Sequence, residues 1–218
     1  MVLCRKCYAF ATETAHALTT DSHTEPLKSL LKRHGNILNE LGVWYMNQAQ
    51  SLLEKQDEVF PKGEFESLCE ESETCLDKGI SRFKAIGDQA NKALLMSNKG
   101  RLSRVKAQEQ AISCRSSSRE FCSKERSSYK QAISCYQKAL EILKHRENYK
   151  DIWDSICWEL STTFFNMAML LQDYAPLSTS SQEEVEKEVA IFMNKSLRYC
   201  NTETSPARQP MYEYRAGT

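Results

Sequence analysis

The stretch YKQAISCYQKALEILKH, residues 129–145, decides the fold. Its apolar side chains recur every three or four positions, so they share one side of an α-helix, while charged and amide side chains cover the other side. The apolar side consists of Ala132, Ile133, Tyr136, Ala139, Leu140 and Leu143. The two outer alanines allow a neighbouring backbone to come close, and the tyrosine between them fills the space beside the contact. The stretch therefore predicts a helix that packs closely against a partner helix.

The composition of the 218 residues indicates a globular chain that buries a core, because 41% are hydrophobic and only 7 are glycine and 5 proline. This length fits one domain or a run of helical repeats. No apolar run is long enough to span a membrane, and residues 1–18 lack the apolar stretch of a secretory signal. The nine cysteines are an odd and scattered set, which indicates reduced thiols. We therefore expect an intracellular protein without a disulfide framework.

A second informative stretch lies in the helix predicted over residues 26–55. Its apolar surface, which includes Trp44, is too broad for an isolated surface helix. A glycine inside a helix costs about 0.5–1 kcal/mol relative to alanine, so Gly42, directly after Leu41 and three residues before Tyr45, indicates close helix packing. Further helices are predicted at about 65–86, 89–114, 151–174 and 181–200. Gly87 and Asp88 close one helix and cap the next, and Ser181 with Glu184 matches a capping box.

These helices form three expected pairs, at 26–86, 89–145 and 151–200. Residues 1–25 are expected to be partly helical or disordered. Residues 201–218 read as a loop and the start of a truncated further repeat, with proline and a small-residue pair as in a first helix. Because an isolated short helix is marginal in water, we expect this segment to fray beyond Asn201 and to be stabilised by native sequence after Thr218.

The pairs resemble tetratricopeptide (TPR) repeats. Each has a small residue in its first helix and an apolar spacing of four and then three in its second, as at Ala132, Tyr136 and Ala139. The resemblance implies an all-α fold in which antiparallel helix pairs stack as a degenerate TPR-like α-solenoid, with long insertions within the repeats at about 62–74 and 114–128. Two features depart from the TPR pattern: Ser161 stands at the glycine position, and no proline closes the second helices.

Three stretches are similar in amino-acid sequence to the TPR-bearing part of the erythroid differentiation-related factor family. They are LLKRHGNILNELGVWYMNQAQ, NKALLMSNKGRLSRVKAQ and SSYKQAISCYQKALEIL. The resemblance implies a non-enzymatic scaffold within a nuclear regulator that promotes globin-gene transcription in erythroid differentiation. Its implied partners are other proteins, namely nuclear transcription factors or co-regulators. The family offers no catalytic, cofactor-binding or metal-binding residues to carry over.

Charged residues are distributed unevenly along the chain, although the net charge is zero. Residues 54–77 contain nine acids against two bases, and residues 99–130 contain nine bases against three acids. Each run is either a surface for an oppositely charged partner or an ordinary solvated helix face or loop. Phosphate contacts within the basic run would come from Arg115, Arg119, Lys124 and Arg126. Direct nucleic-acid binding is therefore the alternative function, although the run lacks interleaved stacking aromatics and a known DNA-reading motif.

Metal and enzyme chemistry find little support in the sequence. Cys4 and Cys7 have the spacing of half a zinc site, and His16 and His23 are the nearest completing ligands, but no second CxxC or paired histidine motif follows. Nucleophile-elbow, P-loop, dinucleotide-binding and HExxH patterns are all missing from the chain. We expect no enzyme activity, no cofactor and no metal.

The first helices of a TPR-like array line its concave surface, so side chains on them are the expected partner contacts. The candidates are Asn39, Val43, Met46, Asn98, Arg101 and Glu159. A chaperone-type clamp for a carboxyl-terminal peptide is disfavoured, because Ser155 and Glu159 replace two of its cations. Glu159 would repel the carboxylate that such a clamp holds.

Overall fold

The computed structural model describes Cys7, Phe10, Ala11, Glu13 and the ranges 25–54, 62–113, 120–175 and 181–200. Six α-helices occupy these four ranges, and the ranges contain no strand. The helices are α1 (Glu25–Glu54), α2 (Lys62–Ala85), α3 (Gln89–Ser113), α4 (Ser123–Leu143), α5 (Lys150–Asp173) and α6 (Gln182–Tyr199). A 3-10 helix, Arg146–Asn148, precedes α5. The expected all-α class is confirmed, while the expectation for residues 201–218 lies outside the described residues.

Helix ends follow the local signals of the sequence. Gly87 has a positive φ of 72°, and Asp88 N donates to Phe83 O at 3.0 Å, which closes α2. Asp88 Oδ1 then accepts from Asn91 N at 3.1 Å in the first turn of α3. At the start of α6, Ser181 and Glu184 form both hydrogen bonds of the predicted capping box. These predicted boundaries are confirmed.

The insertions predicted within the repeats are wrong in extent. Residues 62–74 form the first half of α2, and residues 123–128 form the first turns of α4. Glutamate is a good helix former, and an acid in the first turn with bases in the last turn suits the helix dipole. In α2 these are Glu64 at the start and Arg82 and Lys84 at the end. Residues 62–74 are therefore part of a helix and not a segment between helices.

The chain divides into two compact units, Met1–Val105 and Lys106–Thr218. In the first unit, α1 and α2 run antiparallel with very close backbones. A Cβ added at Gly42 would lie 2.9 Å from Leu76 Cδ2, and Ser72 Oγ donates to Gly42 O at 2.7 Å. Further along, a Cβ at Gly35 would lie 2.7 Å from the Phe83 ring. The packing reason expected for Gly42 is confirmed.

The second unit is built on α4, α5 and α6. The apolar side of α4 is its core face, because Ala132, Tyr136 and Ala139 are all fully buried. Helix α5 packs antiparallel to α6, with Phe164 stacked against both Phe192 and Tyr199. The stripe predicted in the opening stretch thus forms the interior of this unit.

Ser161 shows how the second unit manages without glycine at the close approach of α5 and α6. Ser161 and Ser196 are both fully buried. Ser161 Oγ donates to Ser196 O at 2.8 Å, and Ser196 Oγ donates to Ser161 O at 2.8 Å. Each hydroxyl therefore satisfies a main-chain carbonyl of the other helix. The small polar side chain takes the place of glycine and adds a buried interhelical contact.

Candidate functional site

Three of the predicted contact residues meet in the first unit, between α1 and α3. Asn98 Nδ2 donates to Asn39 Oδ1 at 2.8 Å, which joins the two helices. Arg101 Nη1 approaches Asn98 Oδ1 at 3.5 Å from the next turn of α3. Asn98 is only 5% exposed, whereas Arg101 is exposed. The arrangement places an exposed cation beside two linked primary amides, each of which carries donor and acceptor atoms.

An apolar side chain that the sequence analysis missed adjoins these residues. Leu94 lies one helical turn before Asn98 on α3 and is 37% exposed. Residues at this spacing share one side of a helix, so Leu94, Asn98 and Arg101 form a row. Together with Asn39 and the half-buried Val43 of α1, this row is called the amide patch below. The sequence signal that could have placed Leu94 in this patch is its spacing of four residues from Asn98.

Met46 does not belong to an accessible surface. It is 1% exposed and counts among the largest fully buried side chains of the described core. Its assignment to a partner contact was wrong, because the apolar surface of α1 faces more than one neighbour and periodicity alone does not say which side is open. Trp44 shows the reverse: it was counted with the packed surface, yet it is 45% exposed and meets Tyr45 edge-on at 5.0 Å.

Glu159 lies in the second unit, on α5. It is half-buried, and its Oε2 atom lies 3.5 Å from the Tyr136 hydroxyl, which donates to it. Its main-chain oxygen accepts from Thr163 Oγ1 at 2.7 Å. Glu159 is thus held against the core residue Tyr136 of α4.

The residues proposed for phosphate contacts have different surroundings. Arg115 and Arg119 lie outside the described residues, and Lys124 is exposed in the first turn of α4. Arg126 is engaged within the second unit: its guanidinium pairs with Glu188 of α6 and lies 5.6 Å from the centroid of the Phe121 ring. A cation that is already paired with a carboxylate is a weaker attractor for phosphate.

The acidic and basic runs meet within the first unit. Lys99 Nζ of α3 lies 2.7 Å from Asp77 Oδ1 and 3.6 Å from Glu73 Oε1, both on α2. The two carboxylates are partly exposed, so the pairs are near the surface. Part of the charge asymmetry seen along the sequence is therefore neutralised where the two helices face each other.

Metal ligands do not gather in the part of the chain that the structure describes, where no group of three or more His, Cys, Asp or Glu side chains is placed to hold a metal ion. Of the half zinc site, Cys7 is exposed, whereas Cys4, His16 and His23 lie outside the described residues. Among the helices described, none combines the length and the apolar character that crossing a membrane requires.

Comparison with known proteins identifies a family. A family model described as "Erythroid differentiation-related factor 1-like, TPR repeats" matches residues 30–218. Erythroid differentiation-related factor 1 of Homo sapiens is 45% identical over 215 residues, covering 98% of this chain and 17% of the human protein. The proteins of the same name from Pongo abelii and Mus musculus are each 45% identical over 217 residues, covering 98% of this chain and 18% and 17% of their own lengths.

The chain thus spans about a sixth of the length of the curated relatives that it matches. The all-helical structure and the TPR family together support a helical, solenoid-like arrangement. The small residues that predicted TPR-like packing lie at close contacts in the structure. Gly42 lies where α1 approaches α2, and Ala132 and Ala139 of α4 are fully buried. The chain belongs to the erythroid differentiation-related factor 1-like family of TPR-repeat proteins.

Proposed function

We propose that this chain is a non-enzymatic scaffold that binds partner proteins, as part of a nuclear regulator that promotes globin-gene transcription in erythroid differentiation. Membership of a TPR family supports the protein-interaction role. The name of the relatives, erythroid differentiation-related factor 1, supports the regulatory context. The proposed partners are nuclear transcription factors or co-regulators.

The observation that carries the proposal is the hydrogen-bonded pair Asn39–Asn98, which has Arg101 and Leu94 at its edge. Asn98 is buried and holds the half-buried Asn39 in place, so Asn39 is the amide that offers a donor and an acceptor to the peptide groups of a bound segment. The guanidinium of Arg101 suits a carboxylate of the partner, since charge-assisted hydrogen bonds are the stronger ones. Leu94 offers apolar contact area beside these polar groups.

The test uses the 218-residue chain as bait in a nuclear extract of erythroid cells, with co-purified proteins quantified by mass spectrometry. We expect the combined change Asn39→Ala and Arg101→Glu to remove a set of partners that the wild-type chain retains. Lys78→Glu, which reverses an exposed base of α2 outside the amide patch, is the matched control and retains them. A partner set unchanged by the patch variant contradicts the proposed contact surface.

The regulatory part of the proposal has a separate test in cells. The same substitutions are introduced into the full-length protein in erythroid progenitors, and globin transcripts are measured during differentiation. We expect lower transcript levels with the patch variant than with Lys78→Glu at equal protein abundance. Equal transcript levels, together with partner loss in the extract, would keep the scaffold role and reject its connection to globin genes.

Direct nucleic-acid binding is the alternative function. Two bases of the basic run weigh against it, because Arg126 is paired with Glu188 and Lys99 with Asp77. It requires a complex whose affinity falls steeply with salt. Gel shifts between about 50 and 200 mM salt, using the chain and a variant with Arg115, Arg119, Lys124 and Arg126 replaced by serine, distinguish the two functions. A salt-sensitive complex that the replacements weaken favours the alternative.

A further inference from the structure

The solvent face of α4 repeats a charge pattern every seven residues. In each repeat a central residue is flanked by residues three positions before and after it, and helical residues at this spacing are neighbours on one face. The three triplets are Lys124, Ser127 and Lys130; Gln131, Ser134 and Gln137; and Lys138, Glu141 and Lys144, of which Lys144 directly follows the last helical residue. Ser134 is half-buried, and the others are exposed. This surface, called the α4 face below, presents four lysines and one glutamate to solvent.

Helix α2 carries a face of the same period and the opposite charge. Its triplets are Glu64, Ser67 and Glu70; Glu71, Thr74 and Asp77; and Lys78, Ser81 and Lys84, and all of these side chains are exposed. The first two triplets supply four carboxylates, which flank short hydroxyl side chains as the lysines do in the first triplet of α4. This surface is called the α2 face below. Neither face includes a residue of the amide patch.

The first triplet of each face holds charges that are not neutralised within the chain. Asp77, in the second triplet of α2, is already paired with a lysine of α3. Glu64 and Glu70 make no ion pair with any residue of the described ranges. The same is true of Lys124 and Lys130 within the part of the chain that the structure describes. These two pairs of charges are therefore available to a partner.

We propose that the α4 face of one chain binds the α2 face of a second copy, with the two helices parallel and their triplets in register. The carboxylates of the first α2 triplet then meet the lysines of the first α4 triplet. The carboxylates of the second α2 triplet meet Gln131 and Gln137, whose amides donate hydrogen bonds. Glu141 lies between Lys78 and Lys84 of the third α2 triplet. Every copy carries both faces, so the chain itself supplies a partner that matches in charge and in period.

The charges also determine the direction of the contact. Only two alignments engage all three triplets of both faces, one parallel and one antiparallel. The antiparallel alignment would place Lys78 and Lys84 against the lysines of the first α4 triplet, and like charges at close range repel each other. The parallel alignment places those α4 lysines against carboxylates instead. It is therefore the alignment that the proposal specifies.

The shape of the two faces permits a long contact. Each face covers twenty helical steps, or about 30 Å at 1.5 Å per residue, so the faces have equal length. A seven-residue period drifts by about 20° per repeat around a helix, and a crossing angle of about 20° keeps two such faces together. Serine and threonine are short, so the long flanking side chains of the partner helix can reach across them. Because exposed ion pairs are individually weak and screened by salt, the association should be weak and salt-sensitive.

Sedimentation equilibrium of the whole 218-residue chain tests the association. Between about 1 μM and 1 mM protein, in about 0.1 M salt, we expect the average mass to rise above the 25.1 kDa of one chain. In about 1 M salt it should return to 25.1 kDa. A chain that stays at the mass of one copy throughout the low-salt series overturns the proposal. Association that nuclease treatment abolishes also overturns it, in favour of a nucleic-acid partner for the lysines.

Glutamine substitutions identify the faces. The α2 variant carries Glu64→Gln and Glu70→Gln, and the α4 variant carries Lys124→Gln and Lys130→Gln. Each contact needs one face of each kind, so we expect either variant alone to stay monomeric and an equimolar mixture of the two to associate. Association of either variant alone as strong as that of the wild type, or a mixture that stays monomeric, contradicts the pairing of these faces.

A matched control separates the faces from a general effect of charge. Combining the four glutamine substitutions in one chain leaves the net charge at zero and should abolish the association. The control chain also keeps zero net charge but neutralises four exposed residues of α6, by Glu183→Gln, Glu186→Gln, Lys187→Gln and Arg198→Gln. We expect it to associate like the wild type. Equal loss of association in both chains would show that the effect does not depend on the two faces.

Carbodiimide crosslinking of the wild-type chain provides a measurement that needs no substitution. The reagent joins a carboxylate to a lysine amine in direct contact. With a mixture of ¹⁴N- and ¹⁵N-labelled chains, we expect crosslinked peptides that contain one label from each chain and join residues 64–70 to residues 124–130. Crosslinks between these segments only within one isotopic form would place the contact inside a single chain, and their absence would remove it. Either result overturns the proposal.

Discussion

Replacing Gly42 by alanine tests whether the close approach of α1 and α2 holds the first unit together. The added Cβ would lie 2.9 Å from both Leu76 Cδ2 and Leu76 Cγ, and 3.3 Å from Ser72 O. Leu76 is fully buried, so it has no solvent into which to move. The helices must separate, and separation also stretches the 2.7 Å hydrogen bond from Ser72 Oγ to Gly42 O.

The opposing contributions decide the sign of the effect. Alanine gains about 1 kcal/mol over glycine in a helix interior. Overpacking of a filled core costs about 1–3 kcal/mol, and a buried hydrogen bond that is weakened costs about 1 kcal/mol more. We therefore expect Gly42→Ala to lower the free energy of unfolding of the first unit by about 1–3 kcal/mol.

The Cys75 thiol reports the stability of this unit alone. It is fully buried on α2, so a thiol reagent labels it only when the unit opens, and mass spectrometry distinguishes it from the other cysteines. In a urea series, we expect Gly42→Ala to increase labelling about tenfold for each 1.4 kcal/mol lost. Gly63→Ala is the control: a Cβ there meets nothing within 4 Å, so it should be neutral or stabilising by up to about 1 kcal/mol. If Gly42→Ala resists urea as well as the wild type or Gly63→Ala, the close-approach reasoning is wrong.

Three further changes probe contacts within the two units. In a double-mutant cycle, Ser161→Ala and Ser196→Ala should each lower the free energy of unfolding by about 1–2 kcal/mol. Their effects should be coupled by about 0.5–1.5 kcal/mol, and additive effects in thermal unfolding would show that the two buried hydroxyls act independently. Arg146→Ala should cost about 1–3 kcal/mol in urea unfolding, because it leaves the buried Asp154 carboxylate without its two-pronged contact at 2.7 and 2.9 Å; an effect below the error of the assay contradicts this. Lys99→Met should cost less than about 1 kcal/mol and reduce the salt dependence of stability, since the α2 acids that it pairs with are partly exposed; a larger loss would indicate a network with more than surface ion pairs.

Helix boundaries were predictable where a side chain of the usual type marks them. Glycine adopts the left-handed backbone of position 87 without strain, and Asp88 and Ser181 are preferred capping residues. The start of α4 was placed several residues late because its cap is unusual. There, Cys122 Sγ accepts from Glu125 N at 3.4 Å, a role for which cysteine gives no sequence signal.

The candidate site was predictable only in part, because periodicity defines a helix face without saying what covers it. Asn39 and Asn98 were both chosen from their places on first helices, and the structure brings them into contact. Met46 was chosen by the same reasoning and is buried. The pairing of Arg126 with Glu188 joins residues 62 positions apart, and no local pattern in the sequence relates the two.

The exchange of hydrogen bonds between Ser161 and Ser196 attaches α6 to α5 without relying on the peptide bonds that connect them. A chain cleaved between these two helices should therefore keep both halves together, because the reciprocal contact and the stacked Phe164 and Phe192 rings lie away from the cut. Two separately expressed fragments, one ending at residue 175 and the other starting at residue 181, should accordingly associate and reconstitute the second unit. The helix pair then serves as a fragment-complementation module, with Ser196→Ala as a means of weakening its reassembly.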